Sequence, residues 1–307
     1  MKNLIQYTSI IAITLITISC GETSIKSSNQ KTIVCTTGTI ADAMKNILPK
    51  SFKIKNLMGP GVDPHTYKSK SSDLKSMLSA DAIVYNGIHF EANLNDAIHN
   101  LSKKKFVVGL GNILPQEKLR GTTDFGTAYD PHYWHDVNLF ATSIKLASKL
   151  FAKQFPQDSN YINSSAIVYL KKLAETEAYV KNEISRIPDS LRIIVTAHDA
   201  FGYYGKAFDI EVRGVQGINT ASDISIRGIT DLTDFIVARK IPAIFVENSV
   251  SEKNIKSVSE GCAAKGHILK QGGTLFSDGL GDEKSGADTY IKMIKQNTNT
   301  IVEALKQ

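Results

Sequence analysis

Short apolar runs alternate with amphipathic stretches along most of this chain, and that alternation limits the possible folds more than any other feature. Runs typical of buried strands lie at residues 32–37, 54–58, 82–85, 106–108, 192–196, 210–215, 243–246 and 267–269. Helical spacing of apolar residues occupies residues 40–48, 71–78, 93–101, 231–239, 252–263 and 288–305. Continuous apolar strands that alternate with helices are typical of mostly parallel sheets, and the order occurs twice. The pattern predicts an α/β protein with two lobes.

One long helical segment lies between these two halves. Residues 158–186 contain no glycine or proline, and apolar side chains recur there at a helical period. A straight helix of this length spans about 44 Å. A long surface helix and a stiff spacer between lobes are both consistent with it. We predict an N-terminal α/β lobe at residues 32–157, a linker helix at 158–187 and a C-terminal α/β lobe at 188–307.

The first 19 residues have the features of a secretory signal. Lys2 precedes an Ile- and Leu-rich stretch that is shorter than a membrane-spanning helix and is interrupted by polar residues. It ends in Thr-Ile-Ser-Cys, which resembles a bacterial lipobox, so Cys20 is the predicted site of acylation, palmitate included. Residues 20–31 form a polar, flexible tether. The protein is then exported and lipid-anchored in the cell envelope, in the periplasm or on the outer face of the cytoplasmic membrane. A plain signal or a weak anchor is the alternative.

Charge and cysteine content bear on two further questions, nucleic-acid binding and disulfide formation. The net charge is only +6, and no run of five basic residues occurs, so nothing predicts a nucleic-acid partner. Once Cys20 is assigned to lipid, Cys35 and Cys262 are the remaining thiols. Export permits a disulfide, but these two lie in different predicted lobes. We therefore expect two buried, unpaired cysteines.

The histidines carry the strongest chemical signal. The tripeptide Asp-Pro-His occurs twice, ending at His65 and His132, in segments that follow predicted strands. Proline restrains the backbone before each imidazole. His198 directly follows another predicted strand, and ligands bind beyond the carboxyl ends of strands in open α/β sheets. Asp278 lies after the last strand. Three imidazoles and one carboxylate suit Zn²⁺ or Mn²⁺.

Several motifs together resemble one family over residues 32–306. They read VDPHTY, YNGIHFE, DPHYWHDV, TAHDAFGYYG, GVQGINTASD and LFSDGLGDE. They are similar to the zinc/manganese ABC-transporter solute-binding proteins (cluster A-I), in particular to the TroA-like metal-binding lipoproteins. The resemblance implies two α/β lobes joined by one rigid helix, with a metal site in the cleft between them. It implies His65, His132, His198 and Asp278 as ligands of one Zn²⁺ or Mn²⁺ per chain. The role of Asp278 rests mainly on this resemblance.

The chain departs from the family pattern in informative places. Related manganese-binding members often have Glu where this chain has His198, so the site resembles the three-histidine type. The His- and acid-rich loop of dedicated zinc binders would fall between Asn112 and Tyr129, where this chain has no histidine. That difference weakens a zinc-only interpretation. His135 occupies a position where members of the family usually have an apolar or aromatic residue. We expect it to be exposed at a helix start, with a supporting or alternative metal ligand as the other interpretation.

The remaining candidates have weaker signals. His89 is interpreted as a loop histidine near the cleft. Glu247 follows a strand and Asp199 follows His198, so each can hold the second nitrogen of a metal-bound imidazole or serve as an ordinary capping or salt-bridging carboxylate. Surface or strand-end positions are expected for His99 and His267, and packing at the lobe interface is expected for Tyr133 and Trp134.

These patterns predict a metal receptor rather than an enzyme. It would be a monomeric, lipid-anchored component of an ABC importer that passes its metal to a permease and the associated ATPase. An exported zinc hydrolase that uses the same histidines is the main alternative. It would need an open coordination position and a general base, and no HExxH motif occurs. A surface adhesin is a further alternative that no sequence feature requires.

Overall fold

A computed structural model describes residues 30–122, 129–221 and 224–306 of the chain. The predicted signal at residues 1–19, Cys20 and nearly all of the predicted tether lie outside the described residues. None of the described helices is long and apolar enough to cross a membrane.

The first half contains a four-stranded parallel sheet. Its strands follow the spatial order β2-β1-β3-β4, and every neighbouring pair is parallel. The strands are β1 (Thr32–Thr37), β2 (Lys53–Met58), β3 (Ala82–Tyr85) and β4 (Phe106–Gly109), and the helices between them are α1 (Gly38–Ile47), α2 (Ser71–Ser79) and α3 (Asn95–Ser102). Five of the six residues in β1 are buried, because helices cover both faces of a parallel sheet.

The second half repeats the strand–helix order. Two parallel strand pairs, β5–β6 and β7–β8, are described there, and β5 contacts β7. The strands are β5 (Ile193–His198), β6 (Glu211–Gln216), β7 (Ala243–Glu247) and β8 (Lys270–Leu275), and the helices are α6 (Gly202–Phe208), α7 (Ile226–Arg239), α8 (Lys253–Ala264) and α9 (Tyr290–Leu305). The mixed α/β class with parallel sheets is confirmed.

The first half ends with helix α4 (Val137–Gln154), and helix α5 (Ser159–Ile184) connects it to the second half. The predicted long helix is therefore present, three residues shorter than the predicted linker at its carboxyl end and one residue shorter at its amino end. At 26 residues, α5 is about 39 Å long. It packs against α1 and α4 of the first half and against α9 of the second. Side chains on one face, among them Ile162, Tyr169 and Leu173, are buried in a core shared by both halves. This helix therefore packs against both halves of the chain.

Most predicted strands agree with the structure to within one or two residues at each end, but the last one was wrong. The apolar run at 267–269 forms no strand, and Ile268 is 85% exposed. The strand β8 instead begins at Lys270 and contains Gly272 and Gly273, which resemble a turn in the sequence. A Cβ atom on Gly272 would lie 2.5 Å from the ring of Phe245, so only glycine permits this close packing. Helices α4 and α6 were not predicted.

The cysteine prediction agrees with the structure. Cys35 in β1 and Cys262 in α8 are both buried and unpaired. Each lies in a hydrophobic cluster, where a free thiol behaves as a small apolar side chain.

Candidate metal centre

The first Asp-Pro-His tripeptide forms a tight local turn after β2. One carboxylate oxygen of Asp63, Oδ1, accepts a hydrogen bond of 2.9 Å from the backbone N–H of His65. This is an Asx turn, and Pro64 between the two residues restricts the backbone further. His65 is 5% exposed. The imidazole therefore lies on a short loop whose shape is determined by its own residues Asp63 and Pro64.

The second tripeptide repeats that turn and adds a contact to the ring. Oδ1 of Asp130 accepts from the backbone N–H of His132 at 2.9 Å and lies 2.8 Å from its Nδ1. The other oxygen, Oδ2, accepts from the guanidinium of Arg120 at 2.6 Å. With Nδ1 facing a carboxylate, Nε2 is the nitrogen left to bind a ligand. The histidines of both motifs were predicted as ligands, but this role of the aspartates was not predicted.

The other two candidates come from the second half, where strands end. His198 is the last residue of β5, and Asp278 lies three residues beyond β8. Glu247, the last residue of β7, contacts His198 twice. Its Oε1 accepts from the backbone N–H at 2.9 Å, and its Oε2 lies 2.6 Å from Nδ1. Of the two interpretations left open for Glu247, the structure favours support of the imidazole over capping.

The four candidate side chains converge at one buried point. Their ligand atoms all lie within 4.8 Å of one another. Nε2 of His65 is 3.3 Å from Nε2 of His132 and 3.8 Å from Oδ2 of Asp278. Nε2 of His132 is 3.3 Å from Oδ1, and Nε2 of His198 is 3.3 Å from Oδ2. Ligands about 2.0–2.1 Å from a tetrahedral zinc ion are separated by about 3.3–3.4 Å, which is close to most of these distances.

Unsatisfied polar atoms also indicate a cation. Both carboxylate oxygens of Asp278 and Nε2 of His198 are buried without a hydrogen bond of normal geometry to the described residues. A buried carboxylate in that state is costly unless a cation or a donor compensates it. The donor set of the cluster, nitrogen and oxygen without sulfur, suits a divalent transition metal.

Electrostatics determine which of these groups carry protons without metal. Burial lowers the pKa of His132, but the nearby carboxylates Asp130 and Asp278 outweigh it and raise that pKa to about 9. Glu247 and Asp278 likewise raise the pKa of His198 against the effect of burial. Burial lowers the pKa of His65 to about 3. For Asp278, burial opposes ionisation, yet the surrounding imidazoles hold its pKa well below the usual range. A metal ion must therefore displace the protons of two imidazoles.

Aromatic rings pack around the cluster. The ring of Phe90 lies 4.9 Å from that of His65 and 5.7 Å from that of His132. Trp134 lies 5.2 Å from His132, and its Nε1–H donates to the carbonyl of Ser277 at 3.0 Å. Since Ser277 directly precedes Asp278, this bond joins the ligand segments of the two halves, and Trp134 has the packing role that we predicted.

The expectation of an exposed His135 was wrong. Its side chain is fully buried in the 3₁₀ turn Tyr133–His135, and the centre of its ring lies 4.4 Å from that of Phe201, with the two rings tilted by 35°. Neither ring nitrogen forms a hydrogen bond of normal geometry, although the backbone of Ser277 lies nearby. Burial lowers the pKa of His135 to about 3. Asp136, which directly follows the turn, caps the amino end of α4. His135 does not belong to the group of four.

The other histidines lie elsewhere. His89 is exposed in a loop, where its φ of +60° is unusual for this residue type, and His99 is exposed on α3. Nε2 of His267 lies 2.8 Å from the carbonyl of Ile241, ahead of β8. The backbone N–H of Asp199 donates to the carbonyl of Gln216. None of these residues is part of the group that converges at the candidate centre.

Comparison with known proteins agrees with this arrangement. The family model described as "Zinc-uptake complex component A periplasmic" matches residues 33–304. The manganese-binding lipoprotein MntA of Bacillus subtilis is 38% identical over 289 residues, which cover 94% of each chain. The zinc-binding protein TroA of Treponema pallidum is 38% identical over 273 residues, covering 89% of this chain and 88% of TroA.

The fold agrees as closely as the sequence. The solved structure of the periplasmic zinc-binding protein TroA from Treponema pallidum superposes with a TM-score of 0.87, at 38% identity, over 90% of this chain and 99% of that one. The chain therefore belongs to the family of zinc- and manganese-binding solute-binding proteins of ABC transporters.

Proposed function

We propose that this protein captures one divalent transition-metal ion, Zn²⁺ or Mn²⁺, outside the cytoplasm and delivers it to the permease and ATPase of an ABC importer. One observation carries this proposal. Three imidazoles and one carboxylate converge from four separate segments, and the ligand atoms of His198 and Asp278 are buried without a hydrogen bond of normal geometry to the described residues. The names of the relatives support the choice of metals, because one is described as manganese-binding and another as zinc-binding.

Metal binding would join two lobes. We assign residues 32–157 to the first lobe, 158–187 to the linker and 188–307 to the second lobe. Each lobe then contributes two ligands: His65 and His132 from the first, and His198 and Asp278 from the second. Because α5 packs against helices on both sides, large bending at the linker would disrupt its buried face. The ion therefore enters and leaves through local loop movement, and closure is favoured by tighter binding in the closed state.

The geometry is compatible with either metal. The short separations fit a tetrahedral zinc site, as described above. Both oxygens of Asp278 face the imidazoles, so this carboxylate can bind through one oxygen or two and can raise the coordination number for Mn²⁺. Zn²⁺ has the higher intrinsic affinity for such ligands, so selection of manganese would depend on geometry or on metal supply.

The geometry of the site fits the binding of a transported metal ion better than a catalytic zinc site of a hydrolase. A catalytic zinc ion keeps one position open for water and substrate. Here four protein ligands surround the same point, and the most exposed of them, His65, is only 5% exposed. A substrate larger than an ion has no access to this closed arrangement. No feature of the described residues favours an adhesin.

We also propose that residues 1–19 are a signal peptide and that Cys20 carries lipid, so that the monomeric protein is anchored in the cell envelope. The description of MntA as a lipoprotein supports this assignment. Incorporation of radiolabelled palmitate would test it. The parent protein should become labelled and the variant Cys20→Ser should not, whereas equal labelling would exclude Cys20 as the site.

Metal analysis tests the central proposal. Elemental analysis of the purified protein should find about one tightly bound ion per chain, and competitive titrations should give a strong affinity for Zn²⁺ and Mn²⁺. His65→Ala should greatly weaken both. His99→Ala is the matched control, because His99 is exposed on α3 and outside the cluster. Absence of bound metal in the parent, or equal behaviour of the two variants, would exclude the proposed site.

A further inference from the structure

Two threonine hydroxyls donate to the same oxygen of Asp63, and they come from different halves of the chain. Thr66 Oγ1 donates to Oδ2 at 2.9 Å from within the same loop. Thr220 Oγ1 donates to Oδ2 at 2.7 Å across a sequence separation of 157 residues. Thr220 lies in the segment that follows β6, in the half that contains His198. The carboxylate that holds the backbone of His65 is therefore also bonded to the opposite half.

Among the described residues, no side chain of the second half bonds to the carboxylate of the second tripeptide. The equivalent oxygen of Asp130 accepts from Arg120, which belongs to the same half. The two motifs thus hold their histidines in the same way but differ in what holds the aspartate. Separation of the halves would leave the carboxylate bonds of Asp130 in place, whereas it would break the bond between Asp63 and Thr220.

The loop that carries His65 is also where an ion can most readily pass. His65 is the most exposed of the four candidate ligands, at 5% against 0–1% for the others. The three residues at the start of its loop, Gly59, Pro60 and Gly61, are exposed. The loop lies against the second half, since a Cβ atom on Gly279 would be 3.7 Å from the backbone nitrogen of Gly61. Movement of this loop away from the second half would expose the site.

We propose that Thr220 is a positioning residue that holds the His65 loop closed over the metal and so slows metal release. It acts through Asp63 and does not touch the ion. The inference rests on the proposed function, because it assumes that metal binds at the four-residue cluster. Since the bond between Thr220 and Asp63 forms on closure, its loss changes the rate of release and leaves the rate of capture unchanged.

Three variants separate this role from a merely structural one. Thr220→Val removes the hydroxyl that crosses between the halves and keeps the shape of the side chain. Thr66→Val removes the hydroxyl that bonds to the same oxygen from within the loop. Thr220→Ser retains the crossing hydroxyl. Each full-length variant is loaded with Zn²⁺ and mixed with excess chromogenic chelator in a stopped-flow instrument. Association rates and the melting temperature of the metal-free protein are also measured.

Thr220→Val should release Zn²⁺ about tenfold faster, as expected for loss of a hydrogen bond to a charged acceptor. Its association rate should stay within about twofold of the parent value, and its metal-free melting temperature should not change. Thr66→Val and Thr220→Ser should release Zn²⁺ at nearly the parent rate. Equal release from Thr220→Val and Thr66→Val, or no acceleration in Thr220→Val, would overturn the proposal. If the parent itself bound no zinc, the proposed function would fail instead.

Discussion

Replacement of Glu247 by glutamine tests how the protein supports a ligand without touching the metal. Glu247 is 4% exposed, and its two oxygens contact two different groups of His198. Oε1 accepts from the backbone N–H at 2.9 Å, and Oε2 lies 2.6 Å from Nδ1. Glutamine has one acceptor oxygen and one NH₂ group. In Glu247→Gln, one of the two N–H groups of His198 must therefore face another donor.

The expected loss follows from that mismatch. A hydrogen bond to a charged acceptor contributes about 1.5–3 kcal/mol, and loss of a partner of a metal-bound imidazole typically lowers metal affinity about 10- to 100-fold. A second effect opposes the first. Glu247 raises the pKa of His198, so its removal makes the imidazole easier to deprotonate. Protons then compete with the metal for His198 less strongly in the variant than in the parent. The loss of affinity should therefore be larger at pH 9 than at pH 6, and fewer protons should be released on binding at pH 7.

Competitive zinc titrations at both pH values measure the affinities, and calorimetry in two buffers of different ionisation enthalpy counts the protons. Glu252→Gln is a matched control, because Glu252 is exposed at the start of α8 and makes no capping hydrogen bond. This role of Glu247 would be excluded if Glu247→Gln matched the parent in affinity and in proton release, or if Glu252→Gln showed the same changes as Glu247→Gln.

Two further predictions concern protonation. The pKa of His132 is raised to about 9, so a proton competes with metal at neutral pH. Apparent zinc affinity should therefore rise by about tenfold or more per pH unit between pH 7 and pH 9, as titrations in a pH series would show. A flat profile would contradict protonation of His132. His135→Phe should raise the melting temperature of the metal-free protein and leave zinc affinity unchanged, because it replaces a buried imidazole that lacks normal hydrogen bonds. The pKa of His135 in the folded protein is about 3, below the value of about 6.5 in unfolded chains. As the pH falls below about 6.5, the unfolded chain therefore binds a proton that the folded protein does not. This lowers the stability of the folded protein by up to about 1.4 kcal/mol per pH unit. The variant should therefore lose less stability than the parent between pH 7 and pH 5 in denaturant titrations, and equal losses would contradict a neutral, buried His135.

The fold was predictable where local composition and burial agree. The strand β1 is buried along almost its whole length, and its apolar residues are continuous in the sequence. The strand β8 is different, because Gly272 meets the ring of Phe245 on the neighbouring strand, and no local pattern records that contact. The burial of His135 has the same origin, since it depends on Phe201 from the second half. Errors arose where a residue's environment comes from distant segments.

The same distinction explains which parts of the site were predictable. In Asp-Pro-His, the carboxylate that supports the histidine is two residues away, so the motif encodes both the ligand and its support, as the bonds of Asp130 to His132 show. His198 has no such local partner, and its support comes from Glu247 at a separation of 49 residues. Ligands at strand ends follow from the topology of an α/β sheet, but the groups that orient them follow from how the strands are ordered in space. A sequence motif can therefore identify a metal ligand reliably while leaving the residues that tune its affinity to be found in the structure.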